Sequence, residues 1–245
     1  MSLITKTKTF NPEDVTLSDV KTNQFGGKMV FLNINKHPIY LVTPKMRMPF
    51  KLSKFSFENS EDVKYSLSLA FYTENNQSVQ EFFDKIKGMD DMLLTQGVKN
   101  SQKWFKKKHS KSVLEALYKP MVRLYRDPET GEVSDKYAPT MEFKLPQRDG
   151  KFQCKFFQNT SKVPLNTDEV NIEDVLTKGS TVQAVIKCSR GWFSSGKFGA
   201  SWTIEQLKFK PSKNALPEYA FEDDSEDESG DEHSEESDDT DEDSD

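Results

Sequence analysis

Nucleophiles and soft metal ligands are scarce in this chain of 245 residues. Two cysteines, Cys154 and Cys188, and three histidines, His37, His109 and His233, lie scattered along it. They are too few and too dispersed for a metal site. The chain has neither a phosphate-cradling P-loop nor a dinucleotide fingerprint. Ser194 and Ser195 precede Gly196, but a serine with no positioned base is ordinary turn chemistry. These absences argue against an enzyme, and no cofactor is expected. Each cysteine sits in a strand-like run, where it reads as a small buried hydrophobe. So few pairable thiols, with no signal-peptide pattern, point to an intracellular, reducing compartment. No apolar run approaches the ~20 residues that span a bilayer, so a soluble protein without a membrane partner is expected.

Basic residues are missing from one region only. Glu218 to Asp245 holds 17 of the 40 acidic residues and no Lys or Arg. The first 217 residues therefore carry 23 acidic against 34 basic side chains, a net +11. The overall charge of −6 hides this segregation. A basic body implies an anionic partner, and an acidic tail can compete for the same surface. With little apolar content to offset its ordering entropy, the tail is expected to be disordered.

Short period-two patterns dominate the body. Met29 to Ile34 and Ile39 to Val42 flank Asn35-Lys36-His37-Pro38 and read as a hairpin. Pro44 and Pro49 bracket an extended basic segment with Lys45 and Arg47, and Lys51 and Lys54 continue the positive charge with Phe50, Phe55 and Phe57 interleaved. Tyr65, Leu67, Leu69 and Phe71 alternate, as do Met141, Phe143 and Leu145, and Phe152, Cys154 and Phe156. Between them Val79, Phe82, Phe83, Ile86 and Met89 recur at helical spacing behind Ser78 as the expected cap. Gly97 is the expected stop. Lys103-Trp104-Phe105-Lys106-Lys107-Lys108-His109 follows. Trp104 and Phe105 can anchor a helix while Lys106, Lys107 and Lys108 form a solvated face. The same lysines can equally contact phosphates or serve as a nuclear import signal.

The most informative stretch runs from Lys178 to Lys210. Val182, Ala184, Ile186 and Cys188 alternate with polar residues, and so do Ala200, Trp202 and Ile204. Leu207 and Phe209 fall on the other parity, which predicts a bulge. Gly191, Gly196 and Gly199 between the two strands suggest a long, mobile loop. It carries Trp192, Phe193 and Phe198 for base stacking and Arg190 and Lys197 for phosphates. Lys106, Lys107, Lys108, Arg47 and Lys51 are further nucleic-acid candidates. Trp202 is expected in the core.

In this terminal hairpin with its Gly191-Trp192-Phe193 loop, in the central helix between strand groups and in the Asp/Glu tail, the chain resembles the phage-type single-stranded-DNA-binding proteins of large nucleocytoplasmic DNA viruses. The resemblance implies a mainly β, OB-like small barrel over residues 1–217, with a helical insertion at about 78–118 and a disordered acidic tail over 218–245. It further implies a non-enzymatic protein that coats and protects single-stranded DNA during replication or recombination, in a host nucleus or viral replication compartment. Homo-oligomers, and replication proteins recruited through the tail, would be its partners. One departure stands out. Related tails end in an aromatic or apolar docking residue, whereas this one ends in Ser244-Asp245 and carries Tyr219 and Phe221 at its root. The alternative from another class is a histone or basic-protein chaperone acting through the tail.

Overall fold

The computed structural model describes residues 4–24, 26–56, 63–188 and 190–212. The acidic tail, with Tyr219 and Phe221, lies outside the described residues.

Alternation of apolar and polar residues becomes a closed barrel because each strand has one face to bury. Strands β1 (Lys28–Ile34) and β2 (His37–Val42) form the expected hairpin. Asn35 and Lys36 both take positive φ at its turn, the geometry that matches strand twist. The chain continues from β2 into β3 (Met46–Arg47), then β4 (Val63–Ala70). After the helical insertion come β5 (Tyr118–Lys119), β6 (Thr140–Leu145) and β7 (Lys155–Gln158). The last strands are β8 (Thr181–Cys188), β9 (Arg190–Ser194), β10 (Lys197–Ala200) and β11 (Trp202–Lys210).

Closure is read from the pairings. β4 pairs β3 through Arg47 and Ala70, and pairs β6 antiparallel from Thr140–Ala70 to Leu145–Tyr65. β6 pairs β11 in parallel, β11 pairs β8 antiparallel, and β8 returns to β2 and β3. Taking β2 and β3 as one broken first strand, five strands close in the order 1-2-3-5-4-1. That is an OB-like barrel, as expected. The expected bulge is present where the β8–β11 register shifts between Val185 and Ile186. Burial in β11 accordingly moves from Trp202 and Ile204 to Leu207 and Phe209. Trp202 is a core residue whose indole N–H donates to the Met121 sulfur at 3.0 Å. Both cysteines are buried in the core, and burial pushes each thiol up to about 12. No helix among the described residues is long and apolar enough to cross a membrane.

The helical insertion comprises α1 (Gln77–Lys99), α2 (Ser101–Phe105) and α3 (Lys111–Leu117). Asn76, not Ser78, caps α1 by accepting from the Val79 N–H at 3.3 Å. Gly97 does not end the helix either. It lies buried within it, where an added Cβ would sit 2.9 Å from the Phe198 ring. The apolar stripe Val79, Phe82, Ile86, Met89 and Leu93 is interrupted by a buried carboxylate, Asp90. Asp90 accepts from the Tyr118 hydroxyl at 2.6 Å and from the N–H groups of Met121 at 2.9 Å and Val122 at 3.3 Å. It thereby pins α1 to the segment that leads into Arg123.

This pin gives a prediction. An Asn at position 90 keeps one acceptor oxygen but turns an N–H₂ toward remaining donors, so Asp90→Asn should cost about 1–3 kcal/mol. Burial raises the Asp90 pKa, against the pull of the Met121, Tyr118 and Val122 hydrogen bonds and the Lys87 charge. A raised folded-state value means that the native protein holds this proton more tightly than the unfolded chain. The resulting contribution is full below the ordinary aspartate pKa and is lost as pH rises through the raised one. Urea midpoints of both proteins from acid to neutral pH should show a gap that is largest in acid and narrows toward neutrality. A gap independent of pH would mean that Asp90 does not titrate in this way.

Candidate nucleic-acid interface

The outer face of β4 and β6 is a low floor. Thr140, Glu142 and Lys144 alternate with buried Met141, Phe143 and Leu145, opposite Ala70, Ser68 and Ser66. The small side chains of Ala70, Ser68 and Ser66 on its β4 half leave room for a chain to lie across it, and loops from elsewhere supply the walls.

At one end is a hollow of about 690 Å³. Arg47, Phe50, Tyr72, Arg123, Tyr125, Lys136, Tyr137 and Lys178 line it, and no carboxylate does among the described residues. Its rings face solvent, with Phe50 60%, Tyr137 58% and Tyr72 49% exposed. Tyr125 and Tyr137 meet edge to face at 4.8 Å, and the Lys136 ammonium lies 5.7 Å from the Tyr137 centroid. Exposed rings are poorly placed to stabilise the fold and well placed to stack on bases.

A smaller hollow of about 250 Å³ continues the groove, lined by Lys119, Arg123, Glu142, Lys144 and Trp192 among others. Arg123 borders both hollows and hydrogen-bonds the Glu142 carboxylate. Lys144 is exposed as a residue, yet its ammonium lies among enough protein for desolvation to hold its pKa below the ordinary lysine value. Arg190 and Lys64 add to this by repulsion, and Glu142 opposes it. Cations crowded together in this way favour an anion between them.

The glycine-rich segment after β8 is not a long, mobile loop. It is the β9–β10 hairpin, turned at Ser195 and Gly196 with φ of 49° and 76°. β9 pairs β1, and β10 pairs β5 in parallel. Gly199 serves close approach, since a Cβ there would lie 2.8 Å from the Lys119 carbonyl oxygen. Pairing divides the expected set between two faces, because successive residues of a strand point opposite ways. Arg190, Trp192 and Ser194 share one face with Lys197, the cross-strand partner of Ser194. On that face Trp192 enters the groove, while Arg190 and Lys197 are exposed.

Phe193 and Phe198 take the other face, against the helical insertion. Phe193 lies 5.2 Å from the Trp104 ring and 5.7 Å from Phe105. Phe198 is 2% exposed, with Tyr118 at 5.1 Å and Phe105 at 5.3 Å. In this arrangement Phe198 is core and has no face to offer a base. Arg47 lines the larger hollow. Lys51 is exposed beside Phe50, while Lys106, Lys107 and Lys108 are exposed and line neither hollow. The residues that sequence reasoning missed are Tyr72, Arg123, Tyr125, Lys136, Tyr137 and Lys178. Their one available signal was bulky aromatics set in polar, turn-forming segments.

No protein-family model matches the chain, and no curated protein matches its sequence. Among solved structures, the chain is similar to the single-stranded DNA-binding protein of bacteriophage Enc34 in complex with ssDNA. That match has 9% identity and a TM-score of 0.42, covering 79% of this chain and 95% of the other. It is also similar to gp2.5, a single-stranded DNA-binding protein encoded by bacteriophage T7. Here the identity is 10% and the TM-score 0.41, covering 75% of this chain and 97% of the other.

Proposed function

We propose that this is a non-enzymatic protein that binds single-stranded DNA along the β4–β6 face, coating and protecting it during replication or recombination. The observation that carries the reading is the groove itself. Solvent-facing Phe50, Tyr72 and Tyr137 stand beside Arg47, Arg123, Lys136 and Lys178, with no carboxylate of the described residues in the larger hollow. Rings of this kind stack on any base, and cations track the backbone, so binding is strong for single strands and tolerant of sequence. A duplex hides its base faces and gains only the phosphate term. The acidic tail regulates binding by competing for the same cations, or recruits a basic partner once the strand has displaced it. On this reading the protein works in a nucleus or viral replication compartment.

Titration of the full chain with oligo-dT and with duplex, at several salt concentrations, tests the reading. Tight single-strand binding, weak duplex binding and a steep salt slope are expected. Removing residues 218–245 should tighten binding and alter the slope. If the tail-deleted protein binds no single strand at low salt but full-length protein binds histones tightly, the chaperone reading takes its place.

A further inference from the structure

The Lys106–Lys108 run belongs to neither hollow, and its placement is specific. α2 ends at Phe105, and Lys106 takes the left-handed conformation with φ of 58°. The Ser101 hydroxyl, 2% exposed, donates to the Lys107 carbonyl at 3.0 Å and accepts from the His109 N–H at 2.8 Å. The Gln102 amide donates to the Lys106 carbonyl at 3.4 Å. Beneath the loop, Trp104 and Phe105 pack on Phe193, on the back of the hairpin whose front carries Arg190, Trp192 and Lys197. The three lysines are exposed, and none forms an ion pair among the described residues.

Two physical consequences follow. A receptor that reads an extended basic peptide uses free backbone groups. Here the carbonyls of Lys106 and Lys107 are already engaged and the backbone turns through a positive φ. The fixed loop instead presents three ammonium groups whose backbone ordering entropy was spent on folding, which favours contact with a partner that itself brings closely spaced anions. The packed rings of Trp104 and Phe105 and the β9–β10 hairpin lie between this patch and the Trp192 groove.

We infer that Lys106, Lys107 and Lys108 form a second phosphate-binding patch. It engages the stretch of single strand that leaves the groove past Trp192 and crosses the hairpin. The inference rests on the single-strand reading above and adds a length dependence to it. A strand that fills the groove alone does not reach the patch, whereas a longer one does.

The test uses the full chain carrying Lys106→Ala, Lys107→Ala and Lys108→Ala together, titrated with oligo-dT from about 4 to about 30 nucleotides, a range that spans the ~4–16-nucleotide site size of one OB fold. The expected result is unchanged affinity for the shortest oligomer and a several-fold loss for the longest. The salt slope on the longest should become shallower by about 2, because each phosphate neutralised on a single strand adds ~0.7 to the slope. The triple Lys→Arg variant should restore long-oligomer binding, which separates charge from any effect on folding. Equal affinity of variant and parent at every length overturns the patch and leaves the groove reading standing. Equal loss at every length also overturns it, because the lysines would then act on the groove itself. If the parent binds no oligomer, both readings fall. If a fluorescent fusion loses nuclear accumulation on triple substitution while its salt slope is unchanged, the run is assigned to an import receptor instead.

Discussion

Replacing Tyr125 and Tyr137 together by Ala should weaken oligo-dT binding by about 2 kcal/mol, some 30-fold in Kd. Each ring that stacks on a base is worth about 1–3 kcal/mol. The two touch at 4.8 Å, so their losses need not add. Tyr137 is 58% exposed and Tyr125 half-buried, so the thermal midpoint should fall by only a few degrees. Trp192 supplies an independent readout. Trp104 and Trp202 are buried at 4% and 1% exposure, so groove-bound DNA should quench mainly Trp192. Trp192→Phe should remove most of the quenching while leaving binding measurable by anisotropy. Full affinity in the Tyr125/Tyr137 double variant would remove the larger hollow from the binding path. Quenching that survives Trp192→Phe would remove the smaller one.

Phe198→Ala should destabilise the fold by about 3–5 kcal/mol. Its ring is 2% exposed among Tyr118, Phe105 and Trp104, and one edge abuts Gly97 of α1. The hairpin would lose its anchor on the helical insertion, and a cavity of nearly a whole ring would remain. The milder Phe198→Leu keeps most of the volume, and folded protein should bind oligo-dT as the parent does. Chemical denaturation of both variants, with anisotropy on the Leu variant, separates the two roles. If Phe198→Leu melts like the parent but loses single-strand affinity, the ring leaves its packing site to stack on DNA.

Phe198 shows where sequence reasoning about the site ran short. A ring flanked by lysine and glycine reads as a loop residue, and three nearby glycines suggested hinges. Two of those glycines have other uses: Gly196 makes the turn, and Gly199 lets the Lys119 carbonyl approach. Once the segment is a hairpin, alternation alone sends Trp192 one way and Phe193 the other. The barrel strands were legible because alternation is local, and even the parity change at Leu207 announced its bulge. The helical insertion was legible for the same reason, although Asn76 rather than Ser78 caps it. The larger hollow was not. Phe50 and Tyr72 come from two separate loops and Tyr125 and Tyr137 from the two ends of a third, each ordinary in its own stretch.

Local chemistry in the chain therefore determined the strands, the amphipathic helix, the buried thiols and the separation of a basic body from an acidic tail. Each follows from the spacing or composition of residues near one another in sequence, which no distant contact needs to correct. Tertiary structure alone decided which rings face solvent together, which cations share a groove and which face of the hairpin looks inward. Those depend on strand register and barrel closure. Both are set by long-range pairings such as β6 with β11 and β9 with β1, which leave no local mark on the sequence.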